Sequence, residues 1–520
     1  MRNRSVSVIL VLLLGSYCVA AEPESAAPIV ITVDANQVLG KISPLVYGIN
    51  FVDWAKYPDV TITRQGGNRM TAWNWETNAS NAGSDWHHQS DDFLGGGDKV
   101  GEVARAFVAP AFERGKSVII TVPTIGYVSA DKKADGDVNQ TPNYLETRFN
   151  KSVAKKNSPF SDPPDLNDHT VYQDEFVWWL NKQFPIEKRH GGQIFYALDN
   201  EPDIWASTHA RIHPAKVTYA EMVQRTREYS AAIKDVDPTA VVFGFVSYGF
   251  GGYLHLQDAP DAKGRDFIEF FLGAMSDVEK RDGRRLLDVL DLHWYPEIRP
   301  HGQRITEQTI DPESVRIRVQ APRSLWDPTY TEPDSWVTKD VLKEPVKLIP
   351  RLKAKIEKYY PGTKLAFTEF DYGAVNHISG AVAVADVLGI FGQEGVFAAT
   401  EWGGGPFSFA AFNCYRDFDG KGSNYGDLAL SATSSRIEDL AVHASKFENG
   451  SDDLVLVLVN RAESARTCRL DVNNHPFTKV TLYRLGGDAP KVKPAGSVDL
   501  KPGESLTLPA MSVTTAVLSR

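Results

Sequence analysis

Eight short apolar runs, each ending in polar residues, alternate with amphipathic helical patterns along this chain. The runs cover 45–51, 60–64, 117–121, 194–198, 240–246, 287–292, 364–368 and 396–400. A short, nearly continuous apolar segment is typical of a parallel strand that is buried on both faces. Between the runs, apolar residues recur at three- and four-residue spacing, as in Val177, Leu180 and Phe184. This spacing predicts helices over 100–115, 172–188, 219–235, 265–279, 341–360 and 379–394.

Strand–helix alternation implies parallel strands joined by right-handed crossovers. Eight such units predict an α/β fold, a (β/α)8 TIM-like barrel over 45–428, with its active site where the carboxyl ends of the strands converge. A doubly wound open sheet is the competing fold. It is disfavoured because no Gly-x-Gly-x-x-Gly opens a helix after the first run.

The pattern changes after about residue 428. Short β-type runs at 454–459, 480–484, 505–508 and 513–518 are separated by turn-forming stretches without helical spacing. They predict a C-terminal antiparallel β-sandwich over 429–520. The extended segment 22–44 is expected to contribute an N-terminal strand to it.

The N-terminus has the pattern of a cleaved signal peptide over 1–21. Arg2 and Arg4 precede an apolar stretch at 6–14, and small residues follow at 19–21. We therefore expect secretion, to the periplasm or the cell exterior. Only Cys414 and Cys468 then remain, which allows at most one disulfide. No later segment approaches the ~18 consecutive apolar residues of a membrane span.

Charge and aromatic content restrict the class of partner. The 520-residue chain has a net charge of -10 and no run rich in Lys and Arg, which argues against nucleic-acid binding. A neutral substrate would suit this balance, and we expect a monomer. Several of the 11 Trp stand beside Asn, Gly, Asp or His, where their rings are candidate stacking platforms.

Two glutamates closely follow apolar runs, Glu201 after the fourth and Glu369 after the seventh. In a barrel these two tips face each other across the mouth. Glycoside hydrolysis requires such a pair of carboxyls, one as acid toward the leaving oxygen and one as nucleophile or base. Their environments must differ, because the acid keeps its proton and the nucleophile is ionised. Asn200-Glu201-Pro202 alone would equally suit a solvated acidic turn.

Other polar and aromatic residues at the strand tips have candidate roles. Asn200 is placed to bond a sugar 2-hydroxyl, and His293 and Tyr295 at the sixth tip to orient a carboxylate. Trp402 at the eighth tip is a candidate floor beneath the reacting sugar. The alternative interpretations are a core histidine for His293 and a barrel plug for Trp402.

An ordered series of motifs resembles glycoside hydrolase family 44. They are RQGGN at 64–68, WNW at 73–75, NAGSDW at 81–86, LDNEPDIW at 198–205, APRSLWDPTY at 321–330, TEFDYG at 368–373 and the segment 379–400. The resemblance spans essentially the whole chain after the signal peptide. It implies a secreted, retaining endo-β-1,4-glucanase, often active on xyloglucan, with Glu201 as acid/base and Glu369 as nucleophile.

The resemblance implies no required cofactor but allows a structural cation such as calcium, whose ligands are not identifiable in the sequence. Three positions depart from the family pattern: Gln65 replaces an expected aromatic residue, Trp73 an expected tyrosine, and Glu401 an uncharged residue. Glu401 is expected to place a third carboxyl near the mouth. There it would perturb the pair or bind a cation.

The remaining predicted substrate-binding residues are polar motif residues and aromatic loop residues. They are Arg64, Asn68, Trp73, Trp75, Trp86, Trp326, Tyr330 and Trp336. We expect about half of the aromatic set to touch sugar, since clefts are commonly lined with aromatic side chains. Retention requires the two carboxyls to be about 5 to 5.5 Å apart, whereas about 8 Å would indicate inversion.

Alternatives remain open at this stage. The same pair of carboxyls suits a retaining glycanase acting on xylan or mannan, and a non-catalytic glycan-binding barrel would keep the scaffold. A metallohydrolase is disfavoured because neither His-Glu-x-x-His nor paired cysteine ligands occur.

Overall fold

A computed structural model describes residues 27–500 and 503–520. The predicted signal peptide lies outside the described residues. Eight parallel strands form a closed barrel, which confirms the predicted fold. In chain order these strands are Gly48–Asn50, Ile62–Gln65, Ser117–Val122, Ile194–Leu198, Val241–Ser247, Val289–Trp294, Lys364–Phe370 and Ala398–Glu401. Each pairs in parallel with its sequence neighbours, and the eighth closes on the first.

The barrel interior is a packed core. Apolar side chains from the strands fill it, among them Ile62, Ile119, Phe195, Phe243 and Val289. Such layers of branched and aromatic side chains leave no open channel, so chemistry is confined to the strand ends.

The main helices surround the barrel where helical spacing predicts them. They are Glu102–Phe112, Gln173–Gln183, Tyr219–Val236, Phe267–Asp282, Leu348–Tyr359 and Ile378–Gln393. Two further helices, Pro312–Gln320 and Pro406–Phe412, were not predicted. The fifth predicted helix begins at Leu348 rather than near 341 because the backbone turns left-handed at Lys343 and Lys347, on either side of Pro345.

The C-terminal region is antiparallel except at one pairing and includes the predicted N-terminal strand. Its strands in chain order are Ile29–Lys41, Leu428–Ser434, Leu440–Lys446, Leu454–Asn460, Arg466–Asn473, Lys479–Gly486, Ala489–Asp499, Ser505–Leu508 and Ser512–Ser519. Ile29–Lys41 lies between Leu428–Ser434, which is antiparallel to it, and Arg466–Asn473, which is parallel.

These strands form one hydrogen-bonded sheet rather than two separate layers. Leu482 and Leu506 come from strands near opposite edges of the sheet, yet both belong to one hydrophobic cluster. The sheet therefore curls around its own core. Cys414 and Cys468 are buried free thiols, so they do not form a disulfide with each other.

No helix within residues 27–500 and 503–520 is long and apolar enough to cross a membrane.

Candidate active site

Polar side chains from four barrel strands converge at the carboxyl ends of the strands. Arg64 belongs to the second strand, Glu201 follows the fourth, His293 lies in the sixth and Glu369 in the seventh. Tyr295 comes directly after the sixth strand. Closure of the barrel brings these residues together, although 305 positions separate Arg64 from Glu369.

Both oxygens of the Glu369 carboxylate accept hydrogen bonds. Arg64 Nη1 donates to Oε1 at 2.7 Å, and the Tyr295 hydroxyl donates to Oε2 at 2.6 Å. The Arg64 side chain is fully buried and that of Glu369 is 6% exposed. Hydrogen bonds between a guanidinium and a carboxylate are short and directional. Arg64 and Tyr295 therefore fix the orientation of the Glu369 carboxylate at the mouth.

Arg64 is itself fixed by two asparagines. Its Nη1 donates to Asn50 Oδ1 at 3.3 Å, and its Nη2 donates to Asn200 Oδ1 at 2.7 Å. The backbone N–H of Gly67 also donates to Asn200 Oδ1, at 3.1 Å. Gly66 allows the guanidinium to fold back, since a Cβ there would lie 2.2 Å from Arg64 Cζ. The RQGGN motif thus positions the partner of Glu369.

Glu201 lies where the chain turns sharply after the fourth strand. Its backbone is left-handed, with φ 47°, and its N–H donates to the carbonyl of Val246 at 2.9 Å. The side chain is only 15% exposed. Burial raises the pKa of Glu201 to about 7. The Arg64 charge opposes this rise, and the Asp85 charge adds a smaller rise. Glu201 therefore holds a proton near neutral pH.

His293 links the two glutamates. Its Nδ1 lies 2.9 Å from Glu201 Oε1 and 3.3 Å from Glu369 Oε2. Burial lowers the pKa of His293 to about 3, although the Glu369 charge opposes that shift, so the ring is neutral. Both atoms that face Nδ1 are carboxyl oxygens, which assigns the single ring proton to Nδ1.

The two carboxyls are close enough to act on one bond. One oxygen of Glu201, one oxygen of Glu369 and a nitrogen of His293 all lie within 4.8 Å of one another. Carboxyl groups about 5 to 5.5 Å apart accompany retention in glycoside hydrolysis, and about 6.5 to 9.5 Å accompanies inversion. A carboxyl with a raised pKa, Glu201, at short spacing from an arginine-bound carboxyl, Glu369, suits double displacement.

Comparison with known proteins places this fold and site in a family. The family model for glycoside hydrolase family 44 matches residues 79–298. A xyloglucanase of family 44 from Paenibacillus polymyxa, solved with xyloglucan, superposes with a TM-score of 0.89. It is 40% identical, and the match covers 95% of this chain and 99% of that one. The chain belongs to glycoside hydrolase family 44.

Two curated relatives of this family 44 member are longer proteins. Endoglucanase A of Paenibacillus lautus is 43% identical over 456 residues, which are 84% of this chain and 64% of the relative. Beta-mannanase/endoglucanase A of Caldicellulosiruptor saccharolyticus is 43% identical over 500 residues, which are 90% of this chain and 37% of the relative. The chain therefore spans less than two thirds of the length of either relative.

Several predicted substrate-binding residues lie at this site. Arg64, Asn200, His293 and Tyr295 make the contacts described above. The Asn68 side chain borders them, since Asn200 Nδ2 donates to Asn68 Oδ1 at 3.4 Å. Trp402 is half-buried and lies over Gly67, where an added Cβ would be 2.5 Å from the ring. Trp402 therefore forms part of the wall beside Asn200.

Trp73 and Trp75 do not line the cleft, so that prediction is wrong. They are 0% and 1% exposed and pack against Phe176, with Trp179 also beside Trp75. These four large rings fill the space between the barrel and its surrounding helices and exclude water from it.

Trp326 has a neighbourhood that the sequence does not predict. It borders a cavity of about 300 Å³ together with Asp386 of helix Ile378–Gln393 and His443 of the curled sheet. Trp326 therefore borders the junction between the barrel and the sheet, and its contact with sugar stays a prediction. The turn Ala321–Leu325, which packs beside that helix, carries Trp326 to this position.

The other predicted aromatic residues have different surroundings. Tyr330 is half-buried, with the Arg323 guanidinium 5.0 Å from its ring centroid. Trp336 is half-buried and meets Phe250 edge to face. Trp86 is 57% exposed, in a turn tied to the mouth because Asn68 Nδ2 donates to Asp85 at 2.8 Å. Trp86 is therefore the most accessible platform of the predicted set.

Glu401 is buried behind the mouth rather than exposed within it. Burial, with the nearby Asp371 charge, raises the pKa of Glu401 well above its usual range. The carboxyl lies against Gly404, where an added Cβ would be 2.9 Å from Oε2. Burial therefore favours the neutral form of Glu401, which is not part of the cluster of Glu201, His293 and Glu369.

Two residues that support the site were not assigned roles from the sequence. Asn50 Nδ2 donates to the backbone carbonyls of Thr368, Thr400 and Glu401 at 3.0 to 3.2 Å, which joins three strand tips. Asp203 accepts from the Ser247 hydroxyl at 2.6 Å and anchors the turn that carries Glu201. Asn50 ends an apolar run as the assigned tip residues do, so its position was a usable signal.

Proposed function

We propose that this chain is a retaining endo-β-1,4-glucanase that hydrolyses β-1,4-glucan backbones such as xyloglucan. The observation that carries the proposal is the pairing of a protonated Glu201 with an arginine-bound Glu369 at short spacing. The relatives that are an endoglucanase and a xyloglucanase support the choice of polymer.

The proposed reaction has two displacements. Glu369 attacks the anomeric carbon while Glu201 donates its proton to the leaving glycosidic oxygen, which forms a glycosyl–enzyme ester. Glu201, now a carboxylate, removes a proton from water, and that water displaces Glu369 from the anomeric carbon. Both steps invert, so the product keeps the β configuration.

The neighbouring residues supply positioning for these steps. Arg64 and Tyr295 aim the Glu369 carboxylate and reduce its freedom. His293 donates from Nδ1 between the two carboxyls. Asn200 Nδ2 is placed to bond the sugar 2-hydroxyl, an interaction that strengthens in an oxocarbenium-like transition state.

Hydrolysis of xyloglucan, carboxymethylcellulose, xylan and glucomannan by the purified chain tests this proposal. We expect early random shortening of the β-1,4-glucans, which size-exclusion chromatography would measure over time. Glu369→Gln should remove turnover while leaving polysaccharide binding. Release of one small sugar from the start would contradict endo action. Preference for mannan would favour a second candidate function, a retaining glycanase that acts on mannan. One relative, a beta-mannanase/endoglucanase, supports this candidate.

We also propose that the chain is exported and is a monomer. Its proposed divisions are a signal peptide at 1–21, an N-terminal segment of the sheet at 22–44, the barrel at 45–428 and the C-terminal β-sandwich at 429–520. Arg2, Arg4 and the apolar stretch at 6–14 support export. Mass determination of the secreted protein tests cleavage after residue 21, and sedimentation tests the monomer.

A structural divalent cation, such as calcium, has a suitable environment near Glu76. This side chain is 3% exposed, and burial with the Asp168 and Glu175 charges raises the pKa of Glu76 to about 8. Glu175 Oε2 is buried without a hydrogen-bond partner in the described structure. Carboxylate oxygens are the ligands that Ca²⁺ prefers, so we propose that Glu76 takes part in binding such an ion. The ion would compete with Lys156, whose Nζ pairs with Glu175 Oε1 at 2.6 Å and lowers the pKa of Glu76.

Chelation tests the cation. Calcium at 100 times its Kd would stabilise the folded chain by about 2.7 kcal/mol, so EDTA should lower Tm by several degrees. Glu76→Gln should remove this response. Equal Tm values with calcium and with EDTA would rule out a stabilising ion.

A further inference from the structure

Phe51 combines an exposed aromatic ring with a left-handed backbone. It directly follows the first barrel strand, its φ is 49°, and it is 46% exposed. A bulky residue rarely adopts this backbone region, which favours Gly, Asn or Asp. An exposed ring there adds the cost of contact with water. Such costs persist chiefly at functional sites.

The Phe51 ring continues an aromatic surface that begins beside the glutamates. It meets Trp402 edge to face, with centroids 6.2 Å apart, and Phe107 at 5.9 Å. Trp402 lies over Gly67, whose N–H donates to Asn200. The surface therefore runs from Asn200 through Trp402 to Phe51 at the rim.

The backbone of Phe51 is tied to the catalytic network. Its N–H donates to the carbonyl of Arg64 at 3.1 Å, and Arg64 binds Glu369. The preceding Asn50 joins three strand tips. The position of the ring relative to the glutamates is thus fixed by hydrogen bonds rather than left to a mobile loop.

We infer that Phe51 stacks on a glucose ring of the polymer, at a subsite beyond the sugar that contacts Trp402. The C–H face of a β-glucosyl ring is apolar and matches an aromatic platform, whereas the ring edge carries the hydroxyls. The inference rests on the proposed function for its ligand. In this role Phe51 selects for long chains and takes no part in bond cleavage.

Substitution at Phe51 separates this role from a structural one. Phe51→Gly removes the ring and also suits the positive φ, so relief of backbone strain should offset part of the lost ring contacts and Tm should change little. Its kcat/KM on xyloglucan and long cello-oligosaccharides should fall roughly tenfold, whereas an aryl cellobioside should be little affected. Phe51→Tyr keeps a ring and should stay near the wild type. Ile186→Ala, at an apolar residue 77% exposed before the fourth strand, is the control.

Two results would overturn the inference. One is an unchanged kcat/KM of Phe51→Gly on long substrates. The other is a fall in Tm with equal losses on long and short substrates, which would assign Phe51 to packing.

Affinity electrophoresis in gels containing xyloglucan separates this inference from the proposed function. If the wild type showed no turnover but its migration were retarded, and Phe51→Gly lost that retardation, the stacking role would stand and the proposed hydrolase activity would be rejected. If the wild type showed turnover and Phe51→Gly were retarded as strongly as the wild type, the hydrolase activity would stand and the stacking role would be rejected. No retardation of the wild type would reject the stacking role as well.

Discussion

At the scale of single residues, the site gives two glutamates opposite tasks through their surroundings. Glu369 accepts hydrogen bonds from Arg64 and Tyr295, which fix the orientation of its carboxylate. Glu201 is contacted by a neutral His293 and is largely buried, which favours its protonated form. Enzymes that need an acid and a nucleophile of one residue type separate them in this way.

The raised pKa of Glu201 predicts the alkaline limb of the pH profile. Because the first step needs a proton on Glu201, kcat/KM should fall as pH rises through about 7. Initial rates on xyloglucan between pH 4 and 10 measure this limb. Asp85→Asn removes a charge that raises the Glu201 pKa, so its limb should move to slightly lower pH. A flat profile up to pH 9 would contradict Glu201 as the acid.

At the scale of elements, strand ends were more predictable than loops. Each apolar run became a barrel strand, and polar residues at several strand ends reached the mouth, as Glu201 and Glu369 did, whereas Glu401 stayed buried behind it. The loop tryptophans did not follow that logic. Trp73 and Trp326 resemble exposed platforms in sequence because their neighbours are polar, but tertiary packing buries one and turns the other toward the sheet. Local spacing carries no information about such packing.

The contact between helix Ile378–Gln393 and the curled sheet depends on a buried charge cluster. Asp386 of the helix accepts from His443 Nε2 at 2.9 Å and forms an ion pair with Arg461, both on or beside sheet strands. Burial opposes ionisation, but Arg461 and His443 lower the pKa of Asp386. The helix and the sheet are therefore joined by charge as well as by apolar contact.

Asp386→Ala should reduce the free energy of unfolding by about 3–5 kcal/mol, because Arg461 would stay buried without its partner. Denaturation in urea measures the loss. Asp277→Ala breaks an ion pair with Lys280, in which the side chains of Asp277 and Lys280 are 77% and 72% exposed. This substitution should lower the free energy of unfolding by no more than about 1 kcal/mol. Equal effects of the two substitutions would contradict the anchoring role.

At the scale of the whole molecule, the chain folds as a barrel whose two flanking segments meet in one sheet. Ile29–Lys41 pairs with strands that follow the barrel, so the sheet closes only after both ends are present. Composition and alternation predicted this architecture, including the N-terminal strand. They did not predict that the sheet would curl as one piece, since its strand order joins residues more than 400 positions apart.

The stereochemistry of the first product tests the central claim, which is double displacement by Glu201 and Glu369. ¹H NMR of the anomeric region, recorded within the first minutes of hydrolysis of a cello-oligosaccharide, follows the new reducing end before mutarotation. We predict that the β-anomer appears first and the α-anomer grows in later. Initial appearance of the α-anomer would show inversion and would contradict the assignment of Glu369 as the nucleophile.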